Sequence, residues 1–301
     1  MRKYSLYLLI GVFCLLWSCS DDEDVTPSMK DEDRLEALVD KSNTDIMSFK
    51  EKYGTYILYE FDQLLDFAYQ FEQAATWRNA KLTYLEKKDV PGAVSFLEEH
   101  FFNCYEDTVK LNMLPRKFLI CSKIYGEVLG TSVPDGEKIG FHDAAANLNS
   151  FSVARLDAST LAEMSEERKE EFIRQIHYMF LGGYIVNVQR SIFVENVFFD
   201  PSSKLYGTKI DKEKGSILPA GYYMSRGFFP ITDKEQYYYP LEMEDLGNFV
   251  ENLVKMDQET RDAVWSQSVM RVKMQYVAKG LKAMGVDIVM INPLAADFLN
   301  E

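Results

Sequence analysis

The strongest constraint on the fold is an apolar helix in the middle of the chain that contains two adjacent glycines, in the segment RQIHYMFLGGYIV at residues 174–186. The apolar positions on one face of this predicted helix are Phe172, Ile173, Ile176, Phe180 and Tyr184. Ser165 is a suitable N-cap, and two glutamates follow it where the helix dipole favours anions. A glycine inside a helix costs about 1 kcal/mol relative to alanine. Gly182 and Gly183 therefore predict close packing of another element or a widened cleft, and a kink or an end of the helix is the alternative.

Strand-like segments lie in the first half of the chain, and the second half is mostly helical. The predicted strands are residues 55–61, 117–126 and 149–156, which alternate or are rich in β-formers. The predicted helices are residues 62–87, 91–110, 242–256 and 258–284, and residues 200–223 are a predicted loop. Gly54 and Gly285 are predicted helix ends, and Asp257 is a predicted N-cap. The pattern predicts an α+β fold, mostly helical, with a small β-sheet in the N-terminal half.

The N-terminus has the pattern of a processed signal. Two basic residues precede an apolar run from Tyr4 to Trp17, which is too short to span a bilayer comfortably and fits a signal-peptide core. The run ends in LWSC, which is similar to a bacterial lipobox in which Cys19 is lipidated and becomes the mature N-terminus. Residues 1–18 are therefore a predicted signal peptide, and the lipid is expected to attach the protein to the outer membrane.

An acidic, Ser- and Pro-containing segment follows the cysteine. Residues 19–33 contain few apolar side chains and are predicted to be a flexible tether. The SDDED run resembles the export signal of surface lipoproteins in Bacteroidetes, which implies a location facing the outside of the cell; a solvated linker is the alternative. The folded domain is expected at residues 34–301, with an N-terminal α/β part at 34–160 and a helical part at 161–301.

Charge and cysteine content restrict the partners. A formal net charge of −14 repels phosphate backbones, so a nucleic-acid partner is not expected. Cys104 and Cys121 lie in apolar contexts without CxxC spacing, so they do not indicate a zinc site. Buried free thiols are the expected state, and a disulfide between them stays open at this stage.

Several blocks of the chain together resemble a known family. They are KYGTYILYEFD (52–62), LPRKFLICSKIYG (114–126), the helix around 165–190, RGFFP (226–230), MEDLGNFVENLV (243–254) and MRVKMQYVAKGLKAMGVDI (270–288). Their order and spacing, together with the lipobox, resemble the zinc-binding metallopeptidase lipoproteins of Bacteroidetes, also described as substrate-import-associated zinc metallohydrolases. The resemblance implies a zincin-like domain, a role beside SusC/SusD-type import proteins, and a peptide or glycan as the ligand.

The catalytic motif of that family is degenerate here. Two histidines in HExxH can hold zinc from one helical face, and the glutamate activates the metal-bound water. When the family's IHHEFAH is aligned on its aromatic residue, Tyr178 replaces the first ligand, Met179 the general base and Gly182 the second ligand. His177 matches a flanking histidine and has no partner ligand three or four residues away, so a core histidine is the favoured interpretation.

One carboxylate of the implied zinc site survives. The resemblance places the third ligand in the helix that begins MEDLGN, where Glu244 matches it. A single carboxylate without histidines is a poor zinc site, and a site assembled from His100 and His142 would need distant ligands to converge. We therefore expect no catalytic residues, no metal ligands and no cofactor, with a remnant cleft formed by His177, Tyr178, Met179, Gly182 and Glu244.

Three functions remain open from the sequence. The preferred one is an accessory or binding lipoprotein that has lost peptidase chemistry, and the first alternative is an active zinc metallohydrolase with a reorganised site. The second alternative is a carbohydrate-binding surface lipoprotein, because aromatic residues cluster at residues 221–230 and 236–240. Tyr237, Tyr238 and Tyr239 could stack on sugar rings or contact a peptide, although such runs also occur in cores.

Overall fold

The computed structural model describes residues 31–67, 81–127 and 139–300. The α-helices are α1 (Asp31–Leu38), α2 (Thr44–Tyr53), α3 (Val90–His100), α4 (Asp107–Met113), α5 (Ala158–Glu163), α6 (Glu166–Tyr178), α7 (Ala220–Met224), α8 (Glu242–Lys255), α9 (Gln258–Ser266), α10 (Ser268–Met284) and α11 (Ile288–Ile291). The strands are β1 (Tyr56–Leu58), β2 (Lys81–Tyr84), β3 (Lys117–Glu127), β4 (Ile139–His142), β5 (Ala144–Ala146) and β6 (Ser150–Val153). This arrangement confirms the predicted α+β, mostly helical fold class.

The chain divides into two compact units, Met1–Leu38 and Val39–Glu301. Of the first unit, only α1 lies among the described residues, and the second unit contains all the other elements. Helix α1 begins at Asp31, so it overlaps the last three residues of the predicted tether. The predicted signal peptide, Cys19 and most of the tether lie outside the described residues. None of the described helices combines the length and apolar character needed to cross a bilayer.

The long strand β3 organises the sheet. Its first half pairs in parallel with β1 and β6, where Lys117 lies opposite both Tyr56 and Ser150. Its second half pairs antiparallel with β2 and β4, and β5 pairs antiparallel with β6. The first half of β3 is enclosed by neighbours on both edges and is apolar, as expected of a central strand. The three predicted strands are confirmed as β1, β3 and β6.

Two of the other strands differ from the local sequence preference. Lys81–Tyr84 was predicted to continue a helix, and this prediction was wrong because the segment pairs with β3. Ala144–Ala146 consists of good helix formers, yet it pairs with β6 as a strand. β3, the partner of β2, is distant in sequence, and β6, the partner of β5, is itself held by the distant strand β3. In both cases tertiary pairing overrides the local propensity for helix. Residues 68–80 of the predicted helix lie outside the described residues.

An aromatic core lies between the sheet and helices α3 and α6. The ring of Phe101 lies 5.8 Å from Phe118 and 6.0 Å from Phe151, and Phe180 approaches Phe151 edge-on at 5.5 Å. Full burial of each such side chain contributes roughly 1.5–3 kcal/mol, and edge-to-face pairs add about 0.5–1.5 kcal/mol. This core fixes the position of α6 against the sheet.

The helix signals in the second half are largely confirmed. The Asp257 side chain accepts a hydrogen bond from the Thr260 amide, and Gly285 closes α10 in the left-handed region at φ 101°. Gly54 closes α2 in the same way at φ 72°. The single helix predicted over 258–284 is two helices, α9 and α10, because Gln267 has extended backbone angles. The predicted loop at 200–223 is mostly irregular and ends in α7.

Candidate functional site

The helix that carries the degenerate motif continues past its glycines. At Met179 the α-helix α6 changes to a π-helical segment, Met179–Val188, in which the turns are wider. A β-carbon on Gly182 would lie 2.7 Å from Cε2 of Tyr178, and one on Gly183 would lie 2.7 Å from Sδ of Met179. The glycines therefore accommodate the side chains of their own helix, one turn earlier. The helix does not end at the glycines, and the space beside the glycine pair is filled by the side chains of Tyr178 and Met179.

The ring of Tyr178 fills the place that the resemblance assigns to two metal ligands. The Lys255 ammonium on α8 lies 4.3 Å from the centroid of this ring, and Lys255 also pairs with Glu251 at 2.8 Å. Burial raises the pKa of Tyr178, and the nearby Glu251 carboxylate raises it further. The phenol is therefore neutral at neutral pH. The local arrangement is a neutral ring beneath a protein cation.

His177 faces the aromatic core on the other side of the helix. It is fully buried and stacks on Phe101 at 5.2 Å. Its Nε2 donates to the carbonyl oxygen of His100 at 2.9 Å, so Nδ1 accepts from the Tyr105 hydroxyl at 2.7 Å. Burial lowers the pKa of His177 to about 4. The interpretation as a core histidine is confirmed, and both ring nitrogens are occupied by hydrogen bonds.

Glu244 is separate from the Tyr178 site. It is exposed at the N-terminus of α8, where its Oε2 accepts from the Leu241 amide at 2.8 Å and so caps its own helix. Val250 of the same helix lies opposite Gly182, and Gly247 lies opposite Asn187. The two helices therefore run antiparallel, and Glu244 is about 9 Å along the axis from Val250. Of the expected remnant cleft, the structure brings together Tyr178, Met179 and Gly182, but not His177 or Glu244.

The residues at this site do not fit a zinc ion. Zinc takes deprotonated nitrogen, sulfur or oxygen donors in a tetrahedral arrangement, whereas the three motif positions here hold a thioether, a bare backbone and a neutral phenol that lies beneath an ammonium group. Among residues 31–67, 81–127 and 139–300, no group of three histidine, cysteine or acidic side chains is placed to hold a metal ion. His100 is half-buried beside Glu99, and His142 lies in β4.

A buried charged group lies beside Glu244, and none of its residues is among the predicted site residues. Lys273 of α10 is fully buried and its Nζ donates to Oδ2 of Asp245 at 2.5 Å and to the Gly227 carbonyl at 2.8 Å. The Tyr206 hydroxyl donates to the same Oδ2 at 2.7 Å. We call Asp245, Lys273 and Tyr206 the buried charge centre.

The surroundings of the buried charge centre oppose both charges. The Lys273 Nζ lies 4.5–5.7 Å from the centroids of four aromatic rings, those of Phe198, Phe249, Phe228 and Tyr206. Burial raises the pKa of Asp245 and lowers the pKa of Lys273, and each charge partly offsets the shift of the other. Among the described residues, Oδ1 of Asp245 has no hydrogen-bond partner. A sequence signal existed, since Asp245 shares a helical face with Phe249 and Leu253.

The tyrosine run at 237–239 divides between core and surface. Tyr239, one of the predicted ligand contacts, is buried with Tyr223 and Phe228 and does not present its ring to solvent. The Lys212 ammonium lies 5.0 Å from the Tyr237 ring centroid, and the Tyr237 hydroxyl accepts from the Gly215 amide at 3.2 Å. Tyr238 is 57% exposed. Of the three predicted contacts, Tyr238 is the one that presents its ring to solvent.

Cys104 and Cys121 are both free and buried. Burial raises the pKa of both thiols, that of Cys104 to about 12. The expected state of buried, unreactive thiols is confirmed.

Comparisons with known proteins add little to this geometry. No protein-family model matches the chain, and no curated protein is similar to it. Among solved structures, the chain is similar to one described as a putative zinc-binding metallo-peptidase from Bacteroides caccae, with 12% identity, coverage of 91% of this chain and 94% of that chain, and a TM-score of 0.46. At that level of likeness, the comparison assigns neither an activity nor a ligand to this chain.

Proposed function

We propose that the protein is a lipid-anchored lipoprotein of the cell surface, related to zinc metallopeptidases but without their chemistry, which binds a nutrient ligand beside SusC/SusD-like import proteins. The loss of chemistry rests on one observation, the packing of Tyr178 on Gly182 beneath Lys255. The location and the import role rest on the lipobox at Cys19 and on the family resemblance.

Electrostatics support the absence of a metal at this position. A divalent cation beside Lys255 would be repelled, and the neutral phenol of Tyr178 would have to lose a proton whose pKa is already raised. A histidine at residue 182 would overlap the Tyr178 ring. Restoring a zinc site therefore requires more than restoring one ligand.

Metal analysis of the purified protein tests this proposal. After dialysis against zinc-containing and then zinc-free buffer, we expect far less than one zinc per chain and no chelator-sensitive cleavage of peptide substrates. Stoichiometric zinc together with such cleavage would overturn the proposal in favour of an active metallohydrolase with a reorganised site. In that event Tyr178→Phe, which removes only the hydroxyl group, is the matched variant that shows whether this helix holds the metal.

Fractionation tests the anchor independently of the metal. The Cys19→Ala variant should leave the membrane fraction, with Cys121→Ala as a control that keeps the anchor. Unchanged fractionation of Cys19→Ala would contradict lipid attachment. Protease treatment of intact cells should degrade the wild-type protein if it faces outward, and full protection would place it on the inner side of the membrane.

A second candidate function is carbohydrate binding, which the exposure of Tyr238 favours. An exposed aromatic ring offers an apolar face for a sugar ring and a hydroxyl for a hydrogen bond. Affinity electrophoresis in polysaccharide gels should show retardation that Tyr238→Ala abolishes and Tyr237→Phe leaves in place. Equal mobility of wild type and Tyr238→Ala in every polysaccharide that retards the wild type would contradict this candidate.

A further inference from the structure

The buried charge centre contains an amine and a carboxyl group held in contact away from water. Nζ of Lys273 and Oδ2 of Asp245 are 2.5 Å apart, and both side chains are at most 1% exposed. The two groups lie on separate helices, α10 and α8, which pack together in the helical half. None of these residues takes part in the function proposed above.

We infer that Lys273 and Asp245 form an intramolecular isopeptide bond, an amide between Nζ of Lys273 and Cγ of Asp245, with loss of one water molecule. The site is a covalent modification site that cross-links α8 to α10.

The contact geometry places the reacting atoms close together. An oxygen 2.5 Å from the amine puts the carboxyl carbon one bond farther, near the distance of about 3–3.5 Å that precedes attack. Because rigid helices hold both groups, the reaction resembles intramolecular reactions whose effective molarities reach about 10⁵–10⁸ M. Amide formation between the free groups in water lacks this advantage.

The surroundings favour the product over the reactants. Four aromatic rings around Lys273 exclude water that would otherwise hydrolyse the amide. Two buried charges are costly in such a site, and the amide replaces both with a neutral group. In the product, the amide N–H can still donate to the Gly227 carbonyl, which now accepts from Nζ at 2.8 Å.

The reaction begins with transfer of one proton from the ammonium to the carboxylate along their hydrogen bond. The lone pair of the neutral amine then attacks Cγ, and the new N–C bond gives a tetrahedral intermediate. One amine proton passes through the Tyr206 hydroxyl, which contacts both Nζ at 3.3 Å and Oδ2 at 2.7 Å, and reaches Oδ2. The C–Oδ2 bond breaks and Oδ2 departs with both protons as water. Tyr206 is unchanged, and no oxidant or cofactor is consumed.

Peptide mapping of the full-length protein tests the bond directly. Tryptic digestion under denaturing conditions would release an unmodified Asp245 in the linear peptide 235–255 and would cleave after an unmodified Lys273. We expect instead a branched peptide that joins 235–255 to 272–279, with a mass one water below the sum of the two. Full recovery of linear 235–255 and of 274–279 from the wild type would overturn the inference, and this result needs no variant to fold.

Three variants test the chemistry. Lys273→Arg should release only linear peptides, and Lys279→Arg on the same helix should leave the branched peptide in place. Tyr206→Phe should slow cross-linking of newly made chains by roughly 10²–10⁴-fold, as expected for loss of a general acid–base group. A branched peptide in Lys273→Arg would refute the assignment to Lys273, and wild-type kinetics in Tyr206→Phe would refute the proton-transfer step.

Discussion

Whether the substitution Gly182→Ala lowers or raises the free energy of unfolding should depend on the neighbouring side chain of Tyr178. A β-carbon there would lie 2.7 Å and 3.0 Å from two ring atoms of Tyr178, well inside the roughly 3.5–4.0 Å of a favourable carbon–carbon contact. In Gly182→Ala the ring must move away from its position under Lys255. Such overpacking costs about 1–3 kcal/mol, against a gain of about 1 kcal/mol from the alanine's better helix propensity.

The same substitution should become stabilising when the ring is absent. We expect Gly182→Ala to lower the free energy of unfolding by up to about 2 kcal/mol in the wild-type background. In a Tyr178→Ala background it should raise that free energy by up to about 1 kcal/mol, since Val250 remains 3.7 Å away and does not clash. The control is Gly92→Ala in α3, where no atom lies within 4 Å of the added carbon and a gain of a few tenths to about 1 kcal/mol is expected.

The assay is urea denaturation followed by circular dichroism, with unfolding free energies from linear extrapolation. The four proteins of the double-mutant cycle give the coupling between the two positions. A stabilising effect of Gly182→Ala in the wild type, or an equal effect in both backgrounds, would show that the Tyr178 ring does not occupy this space.

Three further predictions concern acidity, an ion pair and the thiols. Burial lowers the pKa of His177 to about 4, whereas the pKa of this residue in the unfolded chain is about 6.5. Between these two pH values the unfolded chain binds the proton and the folded chain does not. The contribution of neutral His177 to the free energy of unfolding is therefore complete above pH 6.5, and about 3 kcal/mol of it is lost by pH 4. Urea titrations of the wild type should show this loss and those of His177→Gln should lack it, so identical pH slopes would contradict the shift. Asp143 accepts from both Arg155 and Arg168 at 2.6 Å, and Asp143→Ala should cost about 2–3 kcal/mol by the same assay, less than a fully buried pair because the arginines are partly exposed; a loss below 0.5 kcal/mol, the usual surface effect, would argue against the pairing. Cys104 should react with a thiol reagent only in denaturant, and rapid labelling of the folded chain would contradict its burial.

Elements that depend on local signals were predictable from the sequence. The apolar spacing of α6, the N-caps at Ser165 and Asp257, and the terminal glycine of α10 involve residues within a few positions of one another. The hydrogen bonds of these caps form within a turn or two of helix, so the residues that determine each helix end are close together in the sequence. The alternating and β-branched residues of β1, β3 and β6 gave similarly direct signals.

Elements that depend on distant partners were not predictable in this way. Lys81–Tyr84 is a strand because β3 offers it an edge, and that edge is contributed by residues about 40 positions later. The helix break at Gln267 lies within a continuous helical pattern, and the structure gives no local cause for it. The helix and strand propensities of the individual residues predict neither the strand at Lys81–Tyr84 nor the helix break at Gln267.

The candidate site combines the two cases. The contact of Tyr178 with Gly182 spans four residues on one helix, which is the spacing of neighbouring helical side chains, so it could have been inferred directly. The position of Lys255 over the ring could not, because it depends on how α8 crosses the π-helical segment. The burial of Asp245 could have been inferred from the apolar face that it shares with Phe249 and Leu253, but its contact with Lys273 could not, because that contact depends on how α8 meets α10.

The MEDLGN segment resembles the family's motif, but both of its acids have partners within the protein. Glu244 matches the position that the resemblance assigns to a metal ligand, but its carboxylate accepts from the Leu241 amide at the start of its own helix. Its neighbour Asp245 points inward, and the group that its carboxyl meets there is the side-chain nitrogen of Lys273. At the other motif, the cation near Tyr178 is again a lysine, Lys255. At both places the nitrogen of a lysine side chain lies where a metal ion would have to bind, so each acid or ring already has its partner within the fold. A metal ion would have to displace a tethered lysine nitrogen at either place, and a tethered group competes at a high effective concentration.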